Sequence, residues 1–220
     1  MGTFENIHEV KVYENLEMGA NELEAQFTKW EEEHPHERNL VLVAGAPGSG
    51  KSTFSEKIAN ENTVTLSLDR YYLGTERQLS EQGVANFSIP EALDWKRLSE
   101  DLEKLLAAKG DEPVAVPAYS MQESRRVGEE EITPKQRVVV EGVYALRLGQ
   151  QTPFRIYVDV SDNLLLERRL ERDIKLRGIP EALVRERFQK NVVPALAQFI
   201  KPQKDSADIV VKNERPIEAH

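Results

Sequence analysis

Leu40-Val41-Leu42-Val43-Ala44-Gly45-Ala46-Pro47-Gly48-Ser49-Gly50-Lys51-Ser52-Thr53 decides how this chain folds. The first five residues form a continuous apolar run, the pattern of a strand buried on both faces. The next nine fit G-x-x-x-x-G-K-[ST] without a mismatch, a pattern that requires a strand before it and a helix after it. Its glycines let the backbone wrap closely, so successive N–H groups point inward at phosphate oxygens. The helix that follows adds the positive end of its dipole. In such a loop Gly45 through Thr53 cradle the phosphates of a nucleotide, Lys51 reaches the β- and γ-phosphates, and the Ser52 hydroxyl ligates Mg²⁺.

Elements alternate outward from this stretch. A helix is predicted over 51–60, a strand over 63–68 ending at Asp69, and a helix over 90–109 with Pro90 in its first turn. A short strand at 113–116 precedes a polar loop over 119–136, and buried strands follow at 138–140 and 154–160. Helices cover 162–176 and 181–199, and a last strand lies at 208–211, after which the polar tail is expected to be loose. Apolar strands alternating with helices predict an α/β fold, a parallel sheet covered on both faces.

Residues 1–38 precede the first core strand and form an acidic N-terminal extension, with the main domain running over 39–220. Asn21 with Glu24 three residues on resembles a helix start, and Leu23, Phe27 and Trp30 repeat at helical spacing. An amphipathic helix over 21–33 follows, its apolar stripe expected to pack on the domain and Glu31-Glu32-Glu33 to be a solvated end.

Composition narrows the chemistry. The chain has 220 residues, enough for one domain with a substantial core, and is 40% hydrophobic and 30% charged. No apolar run approaches the length of a membrane span and no secretory leader pattern opens the chain, so the expected compartment is the cytoplasm. With no cysteine, disulfides, thiolate metal sites and cysteine nucleophiles are excluded. The four histidines are His8, His34, His36 and His220, all outside 37–219. A Ser-His-Asp triad inside the domain is therefore excluded, and any general base there is a carboxylate, Lys or Tyr. Of the net charge of −9, residues 1–38 carry −7, ten acidic side chains against three basic. Nothing suggests a basic nucleic-acid surface.

Open parallel sheets bind ligands at the carboxyl ends of their strands. Two acids fall there: Asp69 after Val64-Thr65-Leu66-Ser67-Leu68, and Glu141 after Arg137-Val138-Val139-Val140. Phosphoryl transfer to a hydroxyl needs one carboxylate to orient or deprotonate the acceptor and another near the metal. Asp69 is assigned the base and Glu141, with Ser52, the metal side. Arg169 and Arg172 share a helix face in the run Glu167–Asp173, suited to stabilising charge on a transferring phosphoryl group; a salt-bridged solvated helix is the alternative. Tyr71, Tyr72, Tyr119, Arg125 and Arg126 are candidates to line an acceptor pocket, or else pack the core.

These residues resemble the uridine kinase branch of the phosphoribulokinase/uridine kinase family, from about Leu40 to Val211. Asp69-Arg70-Tyr71-Tyr72 looks like the family's D-S-F-Y segment, Asn86 to Asp94 like N-F-D-H-P-x-A-[FL]-D, and Pro117-Ala118-Tyr119 like P-x-Y-D. Val139 to Val143 resembles the second acidic motif. Arg168 to Asp173 with Arg177-Gly178 looks like an arginine lid. Val193-Pro194, Ile200-Lys201-Pro202 and Ala207 to Val210 resemble the closing segment. The resemblance implies a P-loop kinase that uses ATP and Mg²⁺, with Asp69 as catalytic base, Arg169, Arg172 and Arg177 as lid residues, and Tyr72, Ser88, Tyr119, Ser124 and Arg126 toward the substrate. It also suggests a homo-oligomer.

Departures fall where the acceptor binds. Ser88 stands where the family has the Asp that pairs with ribose hydroxyls, Ile89 replaces the following His, Ser120 follows the pocket Tyr in place of Asp, and Ser124 aligns with the His that approaches the base. Losing such partners can cost a large factor in discrimination. The expected activity is therefore an ATP-dependent kinase of a small hydroxylated molecule. Nucleosides come first, and a sugar, glycerate or pantothenate is the alternative, as is a nucleotide-binding regulator without activity. A GTPase switch lacks support, since no N-K-x-D or D-x-x-G segment follows the loop, and a motor ATPase is disfavoured by the short chain.

Overall fold

The computed structural model describes residues 10–83, 85–175 and 178–215. Its strands are β1 (Lys11–Tyr13), β2 (Asn39–Gly45), β3 (Thr63–Ser67), β4 (Val114–Ser120), β5 (Arg125–Ile132), β6 (Arg137–Glu141), β7 (Arg155–Asp159) and β8 (Ile209–Lys212). Its helices are α1 (Leu16–Glu33), α2 (Lys51–Lys57), α3 (Thr75–Gln82), α4 (Trp95–Ala107), α5 (Asp162–Lys175) and α6 (Glu181–Arg187). Six strands form one parallel sheet in the order β1-β8-β7-β2-β6-β3, and β4 pairs with β5 as a separate antiparallel hairpin.

The two-residue period of the strands sorts their side chains into two cores. Leu40, Leu42, Val138, Val140, Tyr157 and Val210 face one side, with Leu98, Leu102 and Leu105 of α4 and Leu164 and Leu165 of α5. Val41, Val43, Val139, Ile156, Val158, Ile209 and Val211 face the other, with Leu16, Leu23 and Phe27 of α1 and Phe54 of α2. The sheet is thus covered on both faces, as its apolar strands require. Among the described residues no helix is long and apolar enough to cross a membrane.

Several elements differ from expectation. α1 starts at Leu16, five residues early, because the Asn15 side chain accepts from the Met18 N–H and caps it. β1 extends the sheet edge in parallel register with β8, so the N-terminal segment adds both a strand and a helix to this core. Gly19 allows the close approach of α1 to β8, since a Cβ there would stand 3.0 Å from both methyls of Val211. Glu31 is not solvated: it accepts from Arg137 Nε at 2.9 Å and from Asn39 Nδ2 at 2.9 Å. Arg137, 1% exposed, also holds Glu24 and lies over the Phe27 ring, and so docks α1 onto the start of β6.

The helix expected over 90–109 is two pieces. Pro90–Ala92 is a single 3₁₀ turn, and α4 begins after Asp94, whose carboxylate accepts from the Arg97 N–H at 3.1 Å. α3 lies in a stretch where the sequence pattern predicts no element. The polar loop 119–136 contains β5, and β4 runs four residues further than expected, to Ser120. The helix over 181–199 widens into π-type turns at Phe188–Val192 and Leu196–Ile200. Pro194 lies between them and has no N–H to donate, so regular i→i−4 bonding fails there.

Candidate active site

The carboxyl ends of β2, β3 and β6 gather the phosphate loop and the two acids. Val43 of β2 and Ser67 of β3 are both register partners of Glu141, so β3 and β6 end level with each other, two residues short of the end of β2. Gly45 through Thr53 turn from β2 into α2. Gly48 and Gly50 have φ of 93° and 94°, a conformation that only glycine adopts readily. Lys51 opens α2, half-buried, and among the described residues its ammonium has no hydrogen-bond or ion-pair partner. Ser52 Oγ donates to Glu141 Oε2 at 3.1 Å. Glu141 is 8% exposed.

That pair tests the metal expectation. A hydroxyl and a carboxylate are hard oxygen donors, and Mg²⁺ is commonly held by one or two protein groups with phosphates and waters completing its shell. Among the described residues no cluster of three or more His, Cys, Asp or Glu offers an alternative. Ser52 and Glu141 therefore fit a phosphate-bound Mg²⁺.

Asp69 sits in the 3₁₀ turn Leu68–Tyr71 that leaves β3, with its N–H donating to Ser67 Oγ at 3.3 Å. The turn lies tightly against the residue after Glu141: a Cβ on Gly142 would stand 2.4 Å from Leu68 Cβ. The glycine of Glu141-Gly142 thus sets how closely the two acidic segments approach.

A cavity of about 400 Å³ lies over the loop, lined by Gly48, Gly50 to Thr53, Arg168, Arg172 and Asn213. Arg172 of α5 lines it while its Nε donates to Asp173 Oδ1 at 2.9 Å. Arg169 does not line it; its Nε lies 3.3 Å from Asp173 Oδ2. Both arginines expected to form a lid are thus gathered by one buried carboxylate, Asp173. Arg177 lies outside the described residues. A second cavity, about 490 Å³, opens beyond β7, but its Lys201 and Lys204 already pair with Asp162 and Asp159.

The acceptor candidates form a group apart from the loop cavity. Tyr72 meets Phe87 edge-on at 5.4 Å and Tyr119 at 6.0 Å between ring centroids. Burial, then the charge of Asp69, pushes the Tyr72 hydroxyl well above its usual range. Burial and then Asp69 push Tyr119 up to about 12, against Arg126, so Asp69 and Arg126 both act on this phenol. Tyr119 Oη is buried without a hydrogen-bond partner among the described residues. Arg126 Nη2 donates to Asp94 Oδ2 at 2.9 Å, so Asp94 serves both the α4 cap and the pocket. Although burial opposes it, the Arg97 N–H and then Arg126 hold Asp94 below the usual carboxylate range.

Ser88 and Ser124 enter differently. The Ser88 carbonyl accepts from Tyr144 Oη, which follows the Glu141 segment. Ser124, at φ 51°, ends the hairpin, and its carbonyl accepts from the Thr75 N–H at 3.0 Å, holding the start of α3. Of the other candidates, Tyr71 is buried and donates to Asp101, a core role, and Arg125 is exposed beside Glu123.

Arg168, expected only as part of the arginine-lid motif, and Asn213, not expected at all, both touch the loop backbone. Arg168 Nη1 donates to the Gly48 carbonyl at 3.0 Å, and Asn213 Nδ2 donates to the Ser49 carbonyl at 2.7 Å. Asn213 is 7% exposed, so the tail after Lys212 is anchored as far as Arg215 rather than loose. No side-chain pattern announces such contacts, because a backbone carbonyl carries no residue identity.

Known proteins show which family the chain is similar to. A uridine kinase of Aliivibrio salmonicida is 35% identical over 189 residues, 80% of this chain and 86% of that protein. A uridine kinase of Yersinia enterocolitica is 34% identical over 80% of this chain and 87% of that protein. The solved structure of the YGR205w protein matches at a TM-score of 0.70 with 16% identity, over 93% of this chain and 96% of that one. A candidate fructose transport system kinase from Silicibacter sp. TM1040 matches at 0.65 with 21% identity, over 86% and 98%. These two structures share the fold. The family model for the Phosphoribulokinase / Uridine kinase family matches residues 40–217, and the chain belongs to that family.

Proposed function

We propose that this protein transfers the γ-phosphoryl group of ATP to a hydroxyl of a small molecule, with uridine or cytidine as the first acceptors. The observation that carries the reading is the meeting of three functions at the carboxyl ends of adjacent strands. Lys51 presents an ammonium with no partner among the described residues, Ser52 and Glu141 pair at 3.1 Å, and Asp69 follows β3, whose Ser67 is a register partner of Glu141.

Each residue then has a task. Loop N–H groups and Lys51 hold the phosphates. Mg²⁺, held by Ser52 with Glu141 beside it, neutralises charge on the β- and γ-phosphates when bound. Asp69 accepts the proton of the attacking hydroxyl. Arg172, and Arg169 once released from Asp173, stabilise charge on the transferring group and exclude water. Tyr119 offers a protonated phenol to the acceptor, since a group pushed up to about 12 stays a donor at neutral pH.

A second reading has its own observation. Ser88, Ile89 and Ser124 replace the groups that the family resemblance assigns to a nucleoside, and the carbonyls of both serines are engaged in holding the chain. A non-nucleoside hydroxyl, as in a sugar, glycerate or pantothenate, then fills the pocket. ADP release with Mg·ATP and each acceptor separates the two, with Asp69→Asn as control. Turnover on uridine that the control abolishes supports the first reading. Turnover confined to another hydroxyl supports the second. Wild-type binding of ATP without turnover on any acceptor would leave a nucleotide-binding regulator.

A further inference from the structure

We propose that Arg168 and Asn213 are positioning residues that fix the Ser49–Gly50 peptide of the phosphate loop, and with it the direction of the Gly50 N–H. The inference rests on the reading of this loop as a nucleotide site.

A trans peptide is planar, with its carbonyl and N–H on opposite sides. The Ser49 carbonyl accepts from Asn213 Nδ2 at 2.7 Å and from Arg168 Nη1 at 3.3 Å. With that carbonyl held outward, the Gly50 N–H of the same peptide must project the other way. The preceding peptide is also held, its Gly48 carbonyl accepting from Arg168 Nη1 at 3.0 Å, but its N–H is already spent on the Ala46 carbonyl at 2.9 Å. Of the two clamped peptides, then, Gly50 supplies the N–H left for an anion.

The clamp also explains the glycine itself. Gly50 has φ 94°, and a Cβ there would stand 2.3 Å from Asn213 Nδ2. The amide of Asn213 occupies the space that a side chain would need. Asn213 is fixed in turn, its N–H donating to the Asp159 carbonyl at 2.8 Å at the end of β7.

Among the described residues the hydrogen bonds of Arg168 all go to carbonyls, Nη2 donating to Asn213 at 2.8 Å and to Arg215 at 2.7 Å, and none goes to a carboxylate. The carboxylate of Glu214 acts on it only at longer range, so its charge is not neutralised by a bonded acid and an anion in the loop gains from it. A lysine keeps that charge but loses the planar fork that reaches several carbonyls at once. Asn213 offers a neutral amide donor, so its removal tests the geometry without changing charge.

Calorimetry with Mg·ATP, together with steady-state KM values for ATP and acceptor, tests this on the full chain. Asn213→Ala should weaken ATP about tenfold, the size of one hydrogen bond. Arg168→Gln should weaken it about tenfold to a hundredfold, with Arg168→Lys between that variant and wild type. The acceptor KM should change less than twofold in all three, which a general loosening of the fold does not permit. Should Arg168→Gln fail to fold, Asn213→Ala and the ATP-induced rise in its melting temperature carry the test. Unchanged ATP affinity in Asn213→Ala overturns the proposal, as does an equal rise in both KM values. Wild type that binds no ATP overturns the nucleotide reading beneath it, which the Lys51→Ala variant in the same experiment identifies separately.

Discussion

The two ends of the site are built in opposite ways. At the phosphate end the important groups are backbone: N–H groups of a glycine turn, held by donors from α5 and by the residue after β8. At the proposed acceptor end they are side chains: Tyr72, Tyr119, and Arg126 of β5 tied to Asp94 at the start of α4. A backbone cradle is set by conformation and tolerates few sequences, whereas a side-chain pocket is changed by single substitutions without disturbing the fold. This chain retains the first and departs from the family pattern in the second, at Ser88, Ile89 and Ser124. On the proposed function, phosphoryl chemistry and acceptor choice are then separable.

The hardest test of that separation is Asp69→Asn. An amide keeps the shape but cannot take the hydroxyl proton, so kcat should fall by about 10²- to 10⁴-fold. ATP affinity, a property of the other end, should stay within about twofold. Calorimetry beside turnover checks both, and a parallel loss of ATP binding would show that the two ends are not independent.

Gly142→Ala probes the contact that joins them. The new Cβ would stand 2.4 Å from Leu68 Cβ, an atom at the root of its side chain that cannot swing away. The turn carrying Asp69 must shift, at about 1–3 kcal/mol of overpacking. Melting temperature should fall, and kcat should drop more than the KM for ATP rises. Unchanged kcat would mean that the spacing of Asp69 from Glu141 is not set here.

The same contrast explains what was legible in the sequence. The phosphate loop, β2 and β6 were, because a glycine cradle has a fixed spacing and buried parallel strands are continuous apolar runs, and the edge strand β3 showed as alternating Val64 and Leu66 between Thr and Ser. β5 was not: Arg125–Ile132 is mostly charged and exposed, so neither alternation nor an apolar run marks it, and its pairing with β4 alone makes it a strand. α3 escaped because Leu79, the sole apolar residue in Thr75–Gln82, is 51% exposed, leaving no apolar stripe. β1 is three residues long and is defined by β8, a partner nearly two hundred positions away. At the site, Asp69 and Glu141 could be placed from the strand ends, but the gathering of Arg169 and Arg172 on Asp173 depends on rotamers that spacing does not fix.

A milder change sharpens the acceptor half. Ser88→Asp restores the acidic residue that the family resemblance puts at this position, and its main-chain anchors, the Asn86 side chain and Tyr144, are unaffected by the side chain. If the pocket is otherwise a nucleoside pocket, kcat/KM for uridine should rise about tenfold, the value of a charge-assisted hydrogen bond to a ribose hydroxyl. Activity on a non-nucleoside acceptor should fall by a similar factor. No gain on uridine would mean that the rest of the pocket has also been reshaped.

Tyr119→Phe should have the smallest effect, and one that divides cleanly. Tyr119 Oη is buried with no hydrogen-bond partner among the described residues, so without substrate its hydroxyl carries a desolvation cost and no compensating bond. Deleting it should leave the melting temperature unchanged or slightly raised, a stability change within about 0.5 kcal/mol of zero or favourable. With acceptor present, the lost donor should raise the acceptor KM several-fold and leave the KM for ATP alone. Because the phenol is pushed up to about 12 by burial and by Asp69, that penalty should stay flat with pH across the neutral range. A penalty that varies with pH there would mean that the phenol titrates in the acceptor complex. A loss of stability without acceptor would mean that the hydroxyl already has a structural partner, such as an ordered water, and that the pocket is not held open for substrate by an unsatisfied group.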